Sequence, residues 1–199
     1  MRYSQDVGKD AYPAELERDV TLSDGGQIHL RPIRPSDAPR LQTLHSRLSR
    51  DSIYFRFFSP LPVLTDARAE FFATVDYQTR LAIVAVDRSD GTGSANQPPA
   101  EGSATDDEQI VGVARYDRVD DGRAEVAIVV EDRYQHHGVG TTLFWAILDA
   151  ARARGIKTAV ANVLPENSRM LHLLQESGLP LRRKRVAGYL AIEIDLTAT

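Results

Sequence analysis

Apolar and polar residues alternate in the first patterned segment of the chain, and helical spacing follows it. Residues 27–33 read Gln-Ile-His-Leu-Arg-Pro-Ile, an alternation that predicts a half-buried strand. After this segment, Leu41, Leu44 and Leu48 recur at the helical period, which predicts a helix with one apolar stripe. Two further short helices are predicted before the next strand.

The middle of the sequence predicts an antiparallel meander of three strands. Residues 81–86 form a continuous apolar run, and strands over 109–116 and 124–130 follow. Asp-Asp-Gly at 120–122 marks the turn between the last two strands. Between the first two strands, residues 88–108 are rich in Gly, Ser, Pro and acidic residues, and they are predicted to form a flexible insertion loop.

The last third of the chain predicts a βαβ unit and a terminal hairpin. Apolar spacing indicates helices over 139–154 and 167–177, with a strand over 158–163 between them. Two strands, about 180–186 and 189–196, complete the chain. These elements predict an α/β fold with a single mixed sheet, in which an antiparallel N-terminal meander is joined to a parallel βαβ part and helices cover both faces.

Length and composition favour one domain. A chain of 199 residues with 42% hydrophobic residues can bury a real core. Residues 1–19 are polar and are expected to form a flexible N-terminal arm, which leaves 20–199 as the domain. The chain has no cysteine, which excludes disulfides, thiolate metal sites and a cysteine nucleophile. With no long apolar segment and no signal-like start, we expect a cytoplasmic protein without a membrane partner.

The charge of the chain is mildly acidic. A formal net charge of −4 argues against nucleic acid as a partner, because non-specific binding to phosphates needs a basic surface. Residues 182–185, Arg-Arg-Lys-Arg, are the one basic strip, and we interpret it as a solvated strand end.

The segment from Gln135 to Thr141 carries the clearest chemical signal. It follows a predicted strand, opens a predicted helix and holds two glycines, which would let the backbone come close to a ligand. Free N–H groups at such a helix start favour an anion such as a pyrophosphate, although a plain tight turn has the same pattern. A dinucleotide fingerprint would need a third glycine where Leu143 stands, and the Gly-Lys-Ser/Thr of a Walker loop is absent.

Two motifs at the expected separation resemble a known family. Gln135-x-x-Gly138-x-Gly140 is similar to the pyrophosphate signature of the Gcn5-related N-acetyltransferases, the GNAT family. A second motif, from Asn167 to Leu179, resembles the Asn-containing helix of that family and its Gly-Phe ending. The resemblance extends over about residues 22–196 and implies a GNAT fold with acetyl-CoA as cosubstrate and an amine as acceptor.

A closer resemblance is to the bacterial protein lysine acetyltransferases. It rests on residues 30–37 (LRPIRPSD) and 48–58 (LSRDSIYFRFF). The aromatic part of the second segment is expected to form core and one wall of the acceptor cleft. The resemblance therefore implies a lysine side chain of a protein as the acceptor.

The GNAT resemblance also implies a set of acetyl-CoA-binding residues. The last meander strand would pair with the pantetheine arm, the glycine-containing loop would hold the pyrophosphate, and an asparagine would reach the arm or help to close the site. In this sequence these residues are Ile128, Val129, Val130, Gln135, His136, His137, Gly138, Val139, Gly140, Thr141 and Asn167. His136 and His137 are adjacent, which does not suit chelation of one ion, so no metal is expected.

Glu125 is the candidate general base. It interrupts the apolar run Ala-Glu-Val-Ala-Ile-Val-Val, and strand alternation alone leaves a catalytic and an outward-facing position equally open. The protein lysine acetyltransferases have a catalytic glutamate in a similar Ala-Glu segment, so the resemblance implies that Glu125 accepts the proton of the amine. Glu131 and Asp132 are poorer candidates because they belong to the loop beside the phosphates.

One departure from the family concerns the leaving thiolate. Many members have a tyrosine in the helix of the second motif that protonates this thiolate, and the corresponding residue here is Leu174. Either the thiolate leaves without that acid or another group replaces it, with Tyr134 and Tyr116 as weak candidates.

Three alternatives stay open at this point. The acceptor could be a small amine, which an acidic cleft would favour, or the chain could be a CoA-binding regulatory domain without catalysis. Two copies could also form a homodimer through the terminal strands.

Overall fold

A single sheet organises the protein. The computed structural model describes residues 12–88 and 108–198. In them, eight strands form the sheet in the order β1-β2-β3-β4-β5-β6-β8-β7. The strands, β1 to β8, are Arg18–Thr21, Gln27–Pro32, Arg80–Asp87, Gln109–Arg118, Arg123–Val130, Thr158–Val163, Leu181–Val186 and Tyr189–Asp195.

Over the same described residues, five α-helices pack on the sheet, and short 3-10 turns precede or follow several elements. The helices, α1 to α5, are Ala38–Arg47, Arg50–Phe57, Asp66–Ala73, Val139–Ala153 and Ser168–Glu176. The 3-10 turns are Ala14–Leu16, Pro35–Asp37 and Asp132–Tyr134. The start of α2 shows how local sequence defines a boundary, because the Ser49 hydroxyl accepts a hydrogen bond from the Ser52 amide at 3.1 Å and caps the helix.

The predicted mixed sheet is confirmed. Neighbouring strands in the described residues are antiparallel except β5 and β6, which are parallel. The structure adds an edge strand, β1, which begins at Arg18 in the segment that the sequence predicted as an arm, 1–19, and continues to Thr21. Residues 1–11 of that arm lie outside the described residues. Most of the predicted insertion loop, 89–107, also lies outside them.

Two hydrophobic cores lie on opposite faces of the sheet. On one face, α4 and α5 pack on the strands with side chains such as Leu143 and Leu174. On the other face, α1 and α3 cover β3 and β4. Gly112 lets α4 approach β4 closely, since a Cβ there would lie 2.8 Å from a methyl carbon of Leu143 and 3.2 Å from the Val129 carbonyl oxygen. The continuous apolar run in β3 follows from burial on both faces.

Strand β7 forms one edge of the sheet, next to β8. Its four consecutive basic residues, 182–185, are all exposed, as the sequence predicted for this strip. Basic side chains on an edge strand disfavour pairing with the same edge of another copy, because like charges would face each other.

The parallel pair β5 and β6 separates early. Their register has three pairs, of which Glu125 with Val160 is the last. Beyond it β6 continues beside β8, whereas β5 runs on to Val130 with β4 as its ladder partner. A wedge therefore opens between β5 and β6, and one side of β5 is left without a strand from Val126 onward.

A buried ion-pair network joins β2 to the turn before α1. The guanidinium of Arg31 is almost fully buried and donates to both carboxylate oxygens of Asp37, at 2.7 and 2.8 Å, and to Glu108 at 2.9 Å. Burial by itself lowers the pKa of Arg31, but the hydrogen bonds and negative charges of Asp37 and Glu108 outweigh it and raise that pKa above its ordinary value. Asp37 also accepts from the Arg34 amide at 2.8 Å, so this carboxylate closes the turn.

Replacing Asp37 by asparagine should therefore destabilise the fold. The substitution leaves a buried guanidinium without its main counter-charge, and we expect the free energy of unfolding to fall by about 3 kcal/mol. Urea unfolding monitored by circular dichroism measures the change. Asp51→Asn is the matched control because Asp51 is exposed on α2. A loss below about 1 kcal/mol for Asp37→Asn, the range of surface pairs, would contradict this role.

Candidate active site

A cleft of about 900 Å³ lies where β5 and β6 diverge. It is bounded by β5, the end of β6, the loop that leads into α4, α5, α2 and Tyr189 at the start of β8. Its volume is that of sites for small molecules and cofactors. The cleft has two parts, a loop end beside the start of α4 and a second end around Glu125, Asn162 and Tyr189.

The loop end has a backbone geometry that depends on glycine. Gly138 directly precedes α4 with φ of +93°, and His136 has φ of +69°. A Cβ at Gly138 would meet no atom within 4 Å, so the requirement at this position is conformational and not steric. Val139 is fully buried and anchors the first turn of the helix. The unpaired N–H groups in the first turn of this 15-residue helix can donate hydrogen bonds to an anion, and the helix dipole favours a negative charge there.

Gln135 joins three elements at the loop end. Its amide donates to the Val130 carbonyl at 2.9 Å and to the Ser52 hydroxyl at 3.2 Å. Arg169, on α5, donates to the carbonyl oxygen of the same side chain. Gln135 therefore holds the end of β5, α2 and α5 in fixed relation around the cleft.

The two acids before the loop are engaged in structural contacts. Asp132 accepts from the amide and the hydroxyl of Ser49, at 2.8 and 2.7 Å, and from the Ser52 hydroxyl at 2.9 Å. Burial would raise the pKa of Asp132, but these hydrogen bonds outweigh it and lower that pKa. Glu131 is buried and forms ion pairs with Arg47 at 2.8 Å and Arg133 at 2.6 Å. Neither carboxylate lines the cleft.

Glu125 lies at the point where the two strands separate. It is the last β5 residue paired with β6, it is exposed, and it lines the cleft. The Asn162 side-chain amide on β6 donates to its carboxylate at 3.3 Å. The strand thus places the carboxylate at the inner end of the wedge with one neutral donor beside it.

The structure brings together most of the site residues that the sequence singled out. Those that line the cleft are Glu125, Ile128, Val129, Val130, Gln135, His136, Gly138, Gly140, Thr141 and Asn167. The side chains of His137 and Val139 do not: His137 forms an ion pair with Asp24, and Val139 is part of the core. The Asn167 side chain caps α5 by accepting from the Met170 amide at 3.1 Å.

The residue at the position of the family's tyrosine has no hydroxyl group. Leu174 is buried in the core, and α5 presents other residues to the cleft. Tyr116 donates to the Gln78 carbonyl at 2.9 Å and Tyr134 to Asp87, and neither lines the cleft. Tyr189, at the start of β8, does line it and packs edge-to-face on Phe58 with ring centroids 5.9 Å apart.

Sequence reasoning missed several polar residues of the cleft. They are Arg56, Asn162, Arg169, His172, Glu176 and Tyr189. Arg56 stood in the aromatic run that was expected to form a wall of the acceptor cleft, and Arg169, His172 and Glu176 stood in the second motif, but none of them was singled out as a site residue. The others lie on elements that were predicted correctly, but nothing in their local pattern distinguishes a cleft-facing from a solvent-facing side chain.

Two other kinds of site can be checked over residues 12–88 and 108–198. No group of three or more His, Cys, Asp or Glu side chains there is arranged to hold a metal ion. No helix within the same residues has the length and apolar character needed to span a bilayer.

The sequence of this chain is similar to those of known acetyltransferases. The sequence profile of the acetyltransferase (GNAT) family matches residues 64–179, more than half of the chain. An acetyltransferase of Pseudomonas aeruginosa is 28% identical over 161 residues, which are 79% of this chain and 78% of that protein. Acetyltransferase Pat of Mycolicibacterium smegmatis is 27% identical over 179 residues, 89% of this chain, but the chain spans only 48% of that protein.

A solved structure agrees with the sequence comparisons. The crystal structure of the GNAT domain of S. lividans PAT is 32% identical, with a TM-score of 0.77, and the match covers 93% of this chain and 99% of that one. A cAMP-binding acyltransferase from Mycobacterium smegmatis, 23% identical with a TM-score of 0.59, shares the fold over 94% of this chain and 50% of its own. The resemblance of the two sequence motifs is thereby confirmed, and the chain belongs to the acetyltransferase (GNAT) family, whose members use acetyl-CoA.

Proposed function

We propose that this protein transfers an acetyl group from acetyl-CoA to the side-chain amine of a lysine in a protein, with Glu125 as general base. The observation that carries the proposal is the position of Glu125. Its carboxylate lines the cleft at the last β5–β6 pair, where a donor in the wedge and an acceptor at the second end of the cleft would meet.

The residues present fit acetyl-CoA along the cleft. The start of α4, with Gly138 before it, would hold the pyrophosphate through backbone N–H groups. The side of β5 that has no strand partner, over residues 126–130, would pair with the amide groups of the pantetheine arm. Asn167, His136 and Thr141 line the same path and would contact the donor.

Acetyl-CoA supplies an activated thioester, and the protein supplies position and proton transfer. A lysine amine is mostly protonated at neutral pH, so a base must receive a proton before or during attack. The amine nitrogen attacks the carbonyl carbon, the N–C bond forms and the C–S bond breaks, and CoA leaves as the thiolate. Glu125 accepts the proton directly or through a water molecule, and N–H groups on the open side of β5 stabilise charge on the carbonyl oxygen.

Support for a protein lysine as the acceptor comes from two sources. Segments 30–37 and 48–58 resemble the bacterial protein lysine acetyltransferases, and the second of these segments forms α2, which lines the acceptor end of the cleft. The similarity to Acetyltransferase Pat and to the GNAT domain of S. lividans PAT is consistent with this assignment.

One prediction of the proposed function concerns the general base. Glu125→Gln preserves the shape of the side chain but cannot accept a proton, so we expect kcat for a lysine-bearing protein to fall by about 10²–10⁴-fold. The Kd of acetyl-CoA should stay within about twofold, since it rests on other residues and twofold is well under 1 kcal/mol. CoA release with a thiol reagent measures kcat, and calorimetry measures Kd.

Glu193→Gln is the matched control for this experiment. Glu193 lies in register with Val160, itself in register with Glu125, but it pairs with Arg123 outside the cleft. Its replacement should leave kcat unchanged. If Glu125→Gln kept more than about a tenth of the wild-type kcat, proton transfer to this carboxylate would be ruled out as a main contribution. Tight acetyl-CoA binding without turnover on any protein or small amine would contradict the proposed reaction.

Another prediction concerns the loop before α4. Gly138→Ala forces a side-chain-bearing residue to adopt a φ near +93°, which costs roughly 1–3 kcal/mol or moves the loop. We expect the Kd of acetyl-CoA to rise by at least about tenfold.

Gly155→Ala separates binding from stability in this test. Gly155 follows the other end of α4 with φ of +78°, and a Cβ there would also meet no atom within 4 Å. The two variants should lose similar thermal stability, but only Gly138→Ala should lose acetyl-CoA affinity. Equal affinities in both variants would show that the Gly138 conformation does not contribute to the donor site.

A further inference from the structure

An arginine in the wall of the cleft has no ion-paired carboxylate within the described residues. Arg56, on the last turn of α2, lines the same cleft as Glu125. Within the described part of the chain, its guanidinium has no hydrogen-bonded or ion-paired partner. It packs on the ring of Phe57, with the guanidinium carbon 5.0 Å from the ring centroid. Its N–H groups therefore make no hydrogen bond to the described part of the protein.

The neighbouring acids on this face of the sheet have other partners. The carboxylate of Asp117 forms ion pairs with Arg80 and Arg115, each at 2.9 Å. Burial by itself would raise the pKa of Asp117, but the hydrogen bonds and positive charges of these two arginines outweigh burial and lower that pKa. Glu125 accepts from Asn162. Neither carboxylate forms an ion pair with Arg56, which distinguishes Arg56 from the buried Arg31 with its two acids.

Arg56 is nevertheless charged at neutral pH. Desolvation in the cleft wall, followed by the positive charge of Arg115, lowers the pKa of Arg56 to about 10, and the negative charges of Asp117 and Glu125, which form no ion pair with it, offset this only in part. A partly buried cation without a counter-ion is costly, and an anion that enters the cleft would offset that cost. A carboxylate suits the guanidinium in particular, because two parallel N–H···O hydrogen bonds can form.

We propose that Arg56 binds a carboxylate of the acceptor while Glu125 faces its amine, so that the preferred acceptors are amines with a carboxylate close by. The proposal rests on the proposed function and narrows its substrate class. The carboxylate would come from an acidic residue next to the lysine of a protein, or from the α-carboxylate of an amino acid.

The charge of the cleft agrees with this class and disfavours polycations. Its lining includes two acids, Glu125 and Glu176, and two arginines, Arg56 and Arg169. A polyamine would need carboxylates in addition to the base, and the lining has no excess of them. Arg56 would also repel the second ammonium group of such an acceptor.

Two matched pairs of acceptors test the proposal. Nine-residue peptides with one central lysine carry either Asp or Asn on both sides of it, and L-lysine is compared with cadaverine, which lacks only the carboxylate. For wild type we expect kcat/KM to be about tenfold higher for at least one carboxylate-bearing member, through a lower KM, which is the effect of about 1.4 kcal/mol. A preference in the peptide pair indicates an acidic side chain, and one confined to the L-lysine pair indicates an α-carboxylate.

Three variants connect the preference to Arg56. Arg56→Gln should bring the ratio within the pair close to one, and Arg56→Lys should keep part of it, because the charge remains and the paired geometry is lost. Arg68→Gln removes an equal charge from an exposed position on α3 and should keep the wild-type ratio. Equal wild-type kcat/KM within both pairs, or an equal loss for both members in Arg56→Gln, would overturn the proposal and leave Arg56 a packing role.

A binding measurement keeps this inference separate from the proposed function. Fluorescence anisotropy of the two labelled peptides, with the protein saturated by CoA, reports the preference without any chemistry. If no acceptor turns over but the Asp peptide binds about tenfold more tightly in an Arg56-dependent way, the reaction is wrong and the carboxylate site is right. If both peptides are acetylated and bound equally well, and L-lysine has no advantage over cadaverine, the reaction is right and the carboxylate site is wrong.

Discussion

The early end of the hydrogen-bonded pairing between β5 and β6 is the constraint on which the cleft depends. Three residue pairs hold these parallel strands together, and after Glu125 they separate. Backbone N–H and C=O groups on the open side of β5 then need partners, and an extended ligand with amide groups can provide them. The same separation joins the two faces of the sheet, so that α5 on one face and α2 on the other both line one cleft.

The side chains around the wedge keep it open in a defined shape. The Gln135 side-chain amide donates a hydrogen bond to the Val130 carbonyl at the end of β5, and the same side chain forms hydrogen bonds to α2 and α5. Asp132 binds the capped start of α2, and Glu131 is held by Arg47. These polar contacts attach the loop before α4 to β5, α2 and α5, so the start of α4 is held beside the wedge.

Charge is distributed unevenly along this cleft. Most acids and arginines near it form pairs within the protein, as Asp117 does with Arg80 and Arg115. The four charged side chains that line the cleft, Glu125, Glu176, Arg56 and Arg169, differ because none of them forms an ion pair within the described residues. In the proposed reaction, Glu125 would face the amine of the acceptor and Arg56 would face its carboxylate.

Local sequence predicts the elements and the loop end of the site, and tertiary contacts decide the rest. Strand and helix periods, and a left-handed backbone at Gly138, are properties of short segments, so they can be read without a structure. The short edge strand 18–21 has no clear apolar alternation and forms because β2 offers a ladder. The hydrogen bond between Asn162 and Glu125, and the lack of an ion pair at Arg56 in the described residues, depend on elements far apart in the chain and on where β5 and β6 separate. Such distances are set by packing, which no local pattern contains.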